Sequence, residues 1–437
     1  MTVNSELIAR VHEAVGEALT ERLAEDEANG QRRLSPEDER ALTHKLISDE
    51  IQRLAADAYK RSEEPLSDAE ELVLTLAVFD RVHGLGRIQP LIDHPDYSDI
   101  HIAGHGTVWI QLRNGTKIRG EPVADSDDEL IDMIATAARR LGRSERRFDY
   151  ANPELDLQLP NGDRLHALMA VSSRPNVTIR RHDFSICRLD QVIDLGAIDT
   201  GIAEFLRAAV RAALNIIVAG GTGTGKTTML RCLINEIPPE ERLITVEDAL
   251  EIGLERFSDL HPDYETLEAR KANTEGVGVF TMAELVRSGL RMDPHRVIVG
   301  EVRGPEVLPM LLCMSQGNDG SMCSVHADSS KGVFSRLAMY AAMTTERLEP
   351  QVTNLLVANA VDVVVHIGWI NGVRRVTSIR EVVSAEGDQV VSNEVWRPGA
   401  DGRAVPGYPL RDETLARLER HGFDRDLLTK PDGWWSS

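Results

Sequence analysis

The stretch GGTGTGKT, Gly220 to Thr227, constrains this chain more than any other. It fits G-x-x-x-x-G-K-[ST], and both flanks suit it: the β-branched run NIIVA enters and the helical run KTTMLRCLINEI leaves. Glycines let successive backbone N–H groups curl around a phosphate that a Cβ would obstruct, and the helix N-terminus that follows adds partial positive charge. Gly220, Gly221, Thr222, Gly223, Thr224, Gly225, Lys226, Thr227 and Thr228 are therefore candidate phosphate contacts. Lys226 is expected at the β- and γ-phosphates, and the Thr227 hydroxyl on Mg²⁺. A chance glycine loop is the competing reading, and two correct flanks weigh against it.

From residue 201 onward helix and buried strand alternate, and NIIVAG, RLITVED, RVIVGE and GSMCSVHA read as strands of a parallel α/β sheet. VDVVVHIGWINGVRRVTSI is expected to close this domain, with a hairpin at Asn371-Gly372. The strand Val297-Ile298-Val299 stops at Gly300-Glu301 with arginines on both sides. A P-loop site needs a carboxylate near its metal and attacking water, and Glu301 is the natural candidate. A structural ion pair with Arg303 or Arg296 is the alternative. A second acidic cluster, Glu247, Asp248 and Glu251, follows RLITV and is expected at the same sheet edge. Either Glu247 or Glu301 could be the general base. Asp248 joins Glu301 and Thr227 as a candidate metal holder. His326 ends another strand on this edge, placed either to sense the γ-phosphate or to serve structure alone.

The other regions follow different grammars. Up to about residue 80 the chain reads as helical and acidic-polar, with helix starts at Ser35-Pro36 and Ser67-Asp68. Leu42, Leu46, Ile47, Ile51 and Leu54 recur at helical spacing, and the next helix carries Leu72, Leu76 and Phe79. After GLGRIQPL the period becomes two. Val108, Ile110 and Leu112 precede a turn at Asn114-Gly115; Leu155, Leu157 and Leu159 precede one at Asn161-Gly162; Leu165, Ala167 and Met169, then Val177 and Ile179, follow. Arg164 and His166, and likewise Arg180, fall on the polar faces, whereas Arg181 has the opposite parity at a strand end. The last 50 or so residues, rich in Pro, Gly and charge, read as a loose end finishing in Trp434-Trp435.

Composition bounds the rest. At 437 residues the chain is too long for one core. No apolar run approaches the roughly 18 residues of a membrane span, and the start MTVNSELIARVHEAV has no signal pattern, so a cytoplasmic protein is expected. Net charge −21 and 4% aromatic residues argue against a nonspecific nucleic-acid coat. The four cysteines, Cys187, Cys232, Cys313 and Cys323, form no C-x-x-C pair, so neither zinc nor a disulfide framework is indicated.

In that order after GGTGTGKTT, ITVEDALEIGL, LVRSGLRMDPHRVIVGEVRGPEV and GNDGSMCSVHADS resemble the Walker A, Asp box, Walker B and His box of the type II/type IV secretion ATPases. EGVGVFTMAELVRSGLRM and the upstream NGDRLHA and TIRRH look most like the CpaF/TadA branch, which powers Tad (Flp) pilus assembly. The resemblance covers about residues 84 to 385. It implies ATP hydrolysis with Mg²⁺ and a RecA-like P-loop NTPase domain (201–385). A small PAS-like α/β domain (84–184), a linker (185–200), a helical extension (1–83) and a C-terminal tail (386–437) complete the expected α/β architecture. It also implies a hexameric ring with nucleotide between the two domains, docked peripherally on inner-membrane platform proteins. Arg164, Arg180 and, ranked lower, Arg181 would then reach phosphates; a solvated face is the plain alternative. Arg287 and Arg291, four apart and taken as one helix face, would assist catalysis in the same subunit or its neighbour. One departure matters: Gln316-Gly317-Asn318 stands where related sequences carry T-G-H, so a titrating histidine is replaced. The lack of a tetracysteine cluster argues against the zinc-bearing type II branch.

Competing functions are a nucleic-acid or conjugation-like motor, a non-hydrolysing nucleotide-gated scaffold and a small-molecule kinase. Net charge −21 opposes the first, so nucleic acid is not an expected partner. The set Glu247, Asp248, Glu301 and His326 opposes the second, and four ordered motifs oppose the third.

Overall fold

The cap residues at the N-terminal helices act locally as their chemistry requires. The Ser35 hydroxyl accepts from the Asp38 N–H with Pro36 in the first turn, and Ser67 and Glu70 form a reciprocal capping box. They open α2 (Pro36–Lys60) and α3 (Asp68–His83), which follow α1 (Ser5–Ala28). The computed structural model describes residues 4–29, 34–141, 147–272 and 276–435. The three helices share a core of Val11, Val15, Ile47, Ile51, Leu74 and Val78. On α3, Leu72 and Leu76 are exposed while Leu74 and Val78 are buried, because this helix is apolar on more than one side.

The chain forms two compact units, 1–182 and 183–437. In the first, a short α4 (Gln89–Asp93) leads into an antiparallel sheet of six strands: β1 (Tyr97–Ala103), β2 (Val108–Leu112), β3 (Lys117–Gly120), β4 (Glu154–Gln158), β5 (Arg164–Leu168) and β6 (Asn176–Arg180). Their order is β3-β2-β1-β6-β5-β4. Strand parity sends Ile100, Ile110, Leu157, Leu165, Val177 and Ile179 to one face, against α5 (Asp127–Leu141) with Leu130, Ile134 and Ala138. β1 and α5 are additions to the strands read from the sequence.

In the second unit, α6 (Leu189–Asp194) and α7 (Thr200–Arg211) precede β7 (Ile216–Gly220), α8 (Lys226–Ile234), β8 (Leu243–Glu247), β9 (Tyr264–Glu268), α9 (Met282–Gly289), β10 (Arg296–Val302), α10 (Val307–Ser315), β11 (Met322–His326), α11 (Gly332–Ala342) and α12 (Pro350–Ala360). The strands β12 (Val363–Ile370), β13 (Val373–Glu386), β14 (Gln389–Pro398) and β15 (Ala404–Pro406), with α13 (Asp412–Glu419), finish it. The nine-stranded sheet runs β15-β14-β13-β12-β7-β11-β10-β8-β9. β12 through β9 in that order are parallel, whereas β13, β14 and β15 add antiparallel. Every residue of β7 is buried because both faces are covered. Ile216 and Val218 meet the α7–α8 side, and Ile217 and Ala219 the side of α9 to α12. Burying each of the isoleucine and valine side chains contributes about 1.5–3 kcal/mol. The β12–β13 turn has φ of 51° at Asn371 and 77° at Gly372, as a primed two-residue hairpin needs.

The C-terminal segment is not a loose end. β14 pairs with β13, and Trp396, 1% exposed, packs on Phe205 with ring centroids 4.7 Å apart. Trp435 Nε1 donates to the Ala404 carbonyl at 2.9 Å. The Trp434 N–H donates to Asp199 Oδ2 at 2.6 Å, while Asp199 Oδ1 caps α7 by accepting from Ile202 N–H. Two register shifts along the β13–β14 ladder break the period-two signal that would have marked β14 in the sequence. Among the described residues no helix is long and apolar enough to cross a membrane.

Candidate nucleotide site

β7 ends at Gly220 and α8 begins at Lys226, so the glycine loop turns at the carboxyl end of a central strand. Gly223 and Gly225 have φ of 72° and 94°, a region other residues enter at a penalty. Gly220 is required for space: a Cβ there would stand 2.4 Å from the Ile367 carbonyl oxygen. Thr224 Oγ1 and Lys226 Nζ both donate to the Gly221 carbonyl, at 2.9 and 3.0 Å. Burial lowers the Lys226 pKa, against the pull of Glu301, which raises it. Thr227 and Thr228 are half-buried in the first turn of α8.

β11 lies between β7 and β10, which puts His326 beside both Lys226 and Glu301. Lys226 Nζ is 3.2 Å from His326 Nε2, and that nitrogen is 2.7 Å from Glu301 Oε1. Burial lowers the His326 pKa, opposed by Glu301 and reinforced by Lys226 and Arg303. Glu301 Oε2 accepts from Arg303 Nε at 2.8 Å, and Arg303 Nη1 stands 3.8 Å from Asp248 Oδ2. Lys226, Glu301, Arg303 and Asp248 thus form a run of charged groups across the strand ends, with the His326 ring between Lys226 and Glu301. β10 does not stop at Gly300-Glu301; it continues to Val302, and its ladder with β11 shifts between Val299 and Val302, where Glu301 is presented. The ion pair is with Arg303. Arg296 is engaged elsewhere, by Glu241 at 2.5 and 2.7 Å and by the Val210 carbonyl at 2.8 Å.

Glu247 turns back into its own loop. It is 3% exposed, and its Oε2 accepts from the N–H groups of Glu251 and Ile252 at 2.8 and 2.9 Å. Burial pushes its pKa up to about 8, despite those two hydrogen bonds. Gly300 makes room for it, since a Cβ there would lie 2.9 Å from Glu247 Cγ.

The candidate arginines divide. Arg287 and Arg291 do not share a helix face: α9 ends at Gly289, where a Cβ would press on Ile244, and the chain leaves through tight turns at Arg291 and Met292. Arg287 is exposed, 3.8 Å from Glu346, and Arg291 is exposed. In the first unit, Arg164 and Arg180 are paired neighbours on β5 and β6. Arg180 donates to Asp99 at 3.2 Å, and Arg164 stands 3.8 Å from Asp156, which also holds His166 at 2.8 Å. Arg181 is turned inward instead, bonding Asp163 and the carbonyls of His94 and Tyr97. Asn318 donates to the Pro294 carbonyl at 2.8 Å and so fixes the turn before β11. Arg374, which the sequence motifs did not single out, comes close to the loop: a Cβ on Gly225 would be 3.6 Å from its Cδ. Among the described residues the four cysteines are free thiols.

Strand, glycine loop and lysine-headed helix define a P-loop protein. The pattern of the family described as Type II/IV secretion system protein matches residues 83–376. A Mycobacterium tuberculosis chain named as a conjugal transfer protein is 32% identical over 341 residues, covering 76% of this chain and 93% of that one. The type IV secretion system protein VirB11 of Brucella suis is 30% identical over 308 residues, 64% of this chain and 83% of that one. The crystal structure of the Brucella suis VirB11 ATPase with sulphate is similar at a TM-score of 0.36 and 27% identity, covering 68% of this chain and 95% of the other. The chain belongs to the type II/IV secretion system family, a family of secretion ATPases, and membership implies ATP hydrolysis.

Proposed function

We propose that this protein is an ATP-hydrolysing motor that powers Tad-type pilus assembly or secretion across the cytoplasmic membrane. The observation that carries the reading is the adjacency of Lys226, His326 and Glu301 at the carboxyl ends of β7, β11 and β10. Lys226 and the loop amides take the phosphates of ATP. Thr227, with Glu301 and Asp248, would hold Mg²⁺, which would supply positive charge against the negative charge developing on the phosphates. The two carboxylates divide the remaining work by environment. Glu301, joined to Lys226 through His326 at the phosphate end, is placed to serve an attacking water as general base, whereas Glu247 is buried in its own turn and holds that turn together. His326 links the lysine to Glu301 and serves as the γ-phosphate contact.

The finer assignment rests on the stretches EGVGVFTMAELVRSGLRM and NGDRLHA, which favour the Tad branch. In this reading residues 201–385 are a RecA-like motor domain and 84–184 a PAS-like partner domain of a hexamer. Arg164, Arg180, Arg287 and Arg291 serve the phosphates within the ring, and the ring docks on inner-membrane platform proteins. Lys226→Ala and Glu301→Gln are expected to abolish turnover, with Glu301→Gln still binding ATP; hydrolysis retained in both overturns the site. The name of the mycobacterial relative favours a second reading, a conjugation-like motor. Stimulation of hydrolysis by DNA would select it, and net charge −21 stands against it.

A further inference from the structure

Arg231 lies on α8, on the helix headed by Lys226, and is 3% exposed. Its guanidinium donates to three main-chain carbonyls, each at 2.8 Å: Nε to Ile252, Nη2 to Glu251 and Nη1 to Asp183. It also stands over the Phe184 ring, 4.6 Å from the centroid, with Arg256 over the same ring at 4.2 Å. Gly253, with φ of 69°, lies so near that a Cβ would be 2.2 Å from the ring. These contacts join three segments. Glu251 and Ile252 form the turn whose N–H groups Glu247 holds. Asp183 and Phe184 begin the second unit, immediately after the first unit's last residue, His182.

An arginine bonded wholly to carbonyls is a costly way to fill a buried position, where a leucine or methionine would pack without a charge to desolvate. What it supplies is a rigid planar fork that spans three acceptors at once, which a lysine cannot do. We propose that Arg231 is a positioning residue that couples the phosphate loop to the chain segment joining the two units. The inference rests on the reading that residues 220–227 hold ATP. A phosphate drawn onto the N-terminus of α8 shifts that short helix as a body. Arg231 carries the shift to the Glu251-Ile252 turn, and so to the Glu247 carboxylate, and to Asp183-Phe184.

The test uses the full chain with spin labels at Asn114 and Asp388, both exposed, in a Cys187→Ser background, and compares wild type with Arg231→Lys and Phe184→Leu. Expected for Arg231→Lys is a lower melting temperature, because buried carbonyls lose their donor, with ATP affinity still within about threefold at a temperature where both proteins are folded. Turnover is expected to fall at least about tenfold, and the ATP-dependent change in label spacing to disappear. Phe184→Leu, which leaves the guanidinium in place, should show the same split in milder form and carries the test if Arg231→Lys does not fold. Wild-type turnover and wild-type spacing changes in a folded variant overturn the inference, as does affinity that falls in step with melting temperature. A wild type that binds no ATP overturns the nucleotide reading and the coupling together. A wild type that binds and moves, with variants that do so equally, overturns the coupling alone.

Discussion

Lys226 Nζ and His326 Nε2 stand 3.2 Å apart, and the same ammonium donates to the carbonyl of Gly221 within its own loop. The lysine is folded onto protein groups that a phosphate would replace. Lys226→Ala removes that cation and leaves the loop amides. Turnover should vanish and affinity for a fluorescent ATP analogue should fall by about a hundredfold, as for loss of one preorganised charge contact. Unchanged affinity would place the triphosphate elsewhere.

Glu301→Gln keeps the size of the side chain and its place between His326 and Arg303 while removing its charge. ATP affinity is expected within a few-fold of wild type, with phosphate release slowed about 10²–10⁴-fold. Equal losses of binding and turnover would show that Glu301 only supports the pocket.

Glu247 yields a pH prediction with a definite sign. Its carboxyl has a pKa of about 8 in the fold against 4.5 ordinarily, so between those values the fold holds a proton that the unfolded chain has released. Stability therefore falls as pH rises from about 4.5 to about 8. Glu247→Gln can still accept from the Glu251 and Ile252 N–H groups and has no charge to bury. Calorimetry should find it equal to wild type near pH 5 and melting several degrees higher near pH 8.5. If Glu247 were the base instead of Glu301, the same variant would lose turnover, and the wild-type rate would climb to a plateau above about pH 8. A stability gain that is the same at both pH values removes the titration account.

Arg296 is 1% exposed and is neutralised by Glu241. Glu241→Ala leaves a buried guanidinium with only the Val210 carbonyl, and a loss of about 3–5 kcal/mol is expected in denaturant unfolding. Glu241→Gln should lose less because it keeps an acceptor. A change below about 1 kcal/mol in Glu241→Ala would mean water reaches the arginine.

Truncation after residue 385 is expected to yield aggregated protein, because it uncovers Phe205 and the β13 edge that Trp396 and β14 cover. Removing Trp434 and Trp435 alone should cost about 1–3 kcal/mol, through lost burial and the lost hydrogen bond to Asp199. A soluble, ATP-hydrolysing 1–385 chain would overturn this.

The parts legible in the sequence were those whose chemistry is local. The loop from Gly220 to Thr227 shows its purpose because left-handed glycines, strand and helix are adjacent in the chain. Glu301 and His326 could be read as strand ends, although which carboxylate neighbours Lys226 depended on strand order, with β11 inserted between β7 and β10. Glu247 looked equivalent to Glu301 because the donors it accepts from, two backbone N–H groups of the next turn, carry no sequence signature. The same holds for Arg231, whose carbonyl partners are 20, 21 and 48 residues away. The shared helix face read for Arg287 and Arg291 was wrong because helical spacing says nothing about a helix that stops at Gly289 against Ile244. β14 was concealed by its bulges.

Asp199 caps α7 with one oxygen and holds Trp434 with the other, a pairing across 235 residues. During synthesis the carboxylate must therefore wait, half satisfied, until almost the whole second unit has left the ribosome. The contacts of α7 are complete only when the Trp434 amide arrives, so the second unit stays open to chaperones until its synthesis is nearly finished.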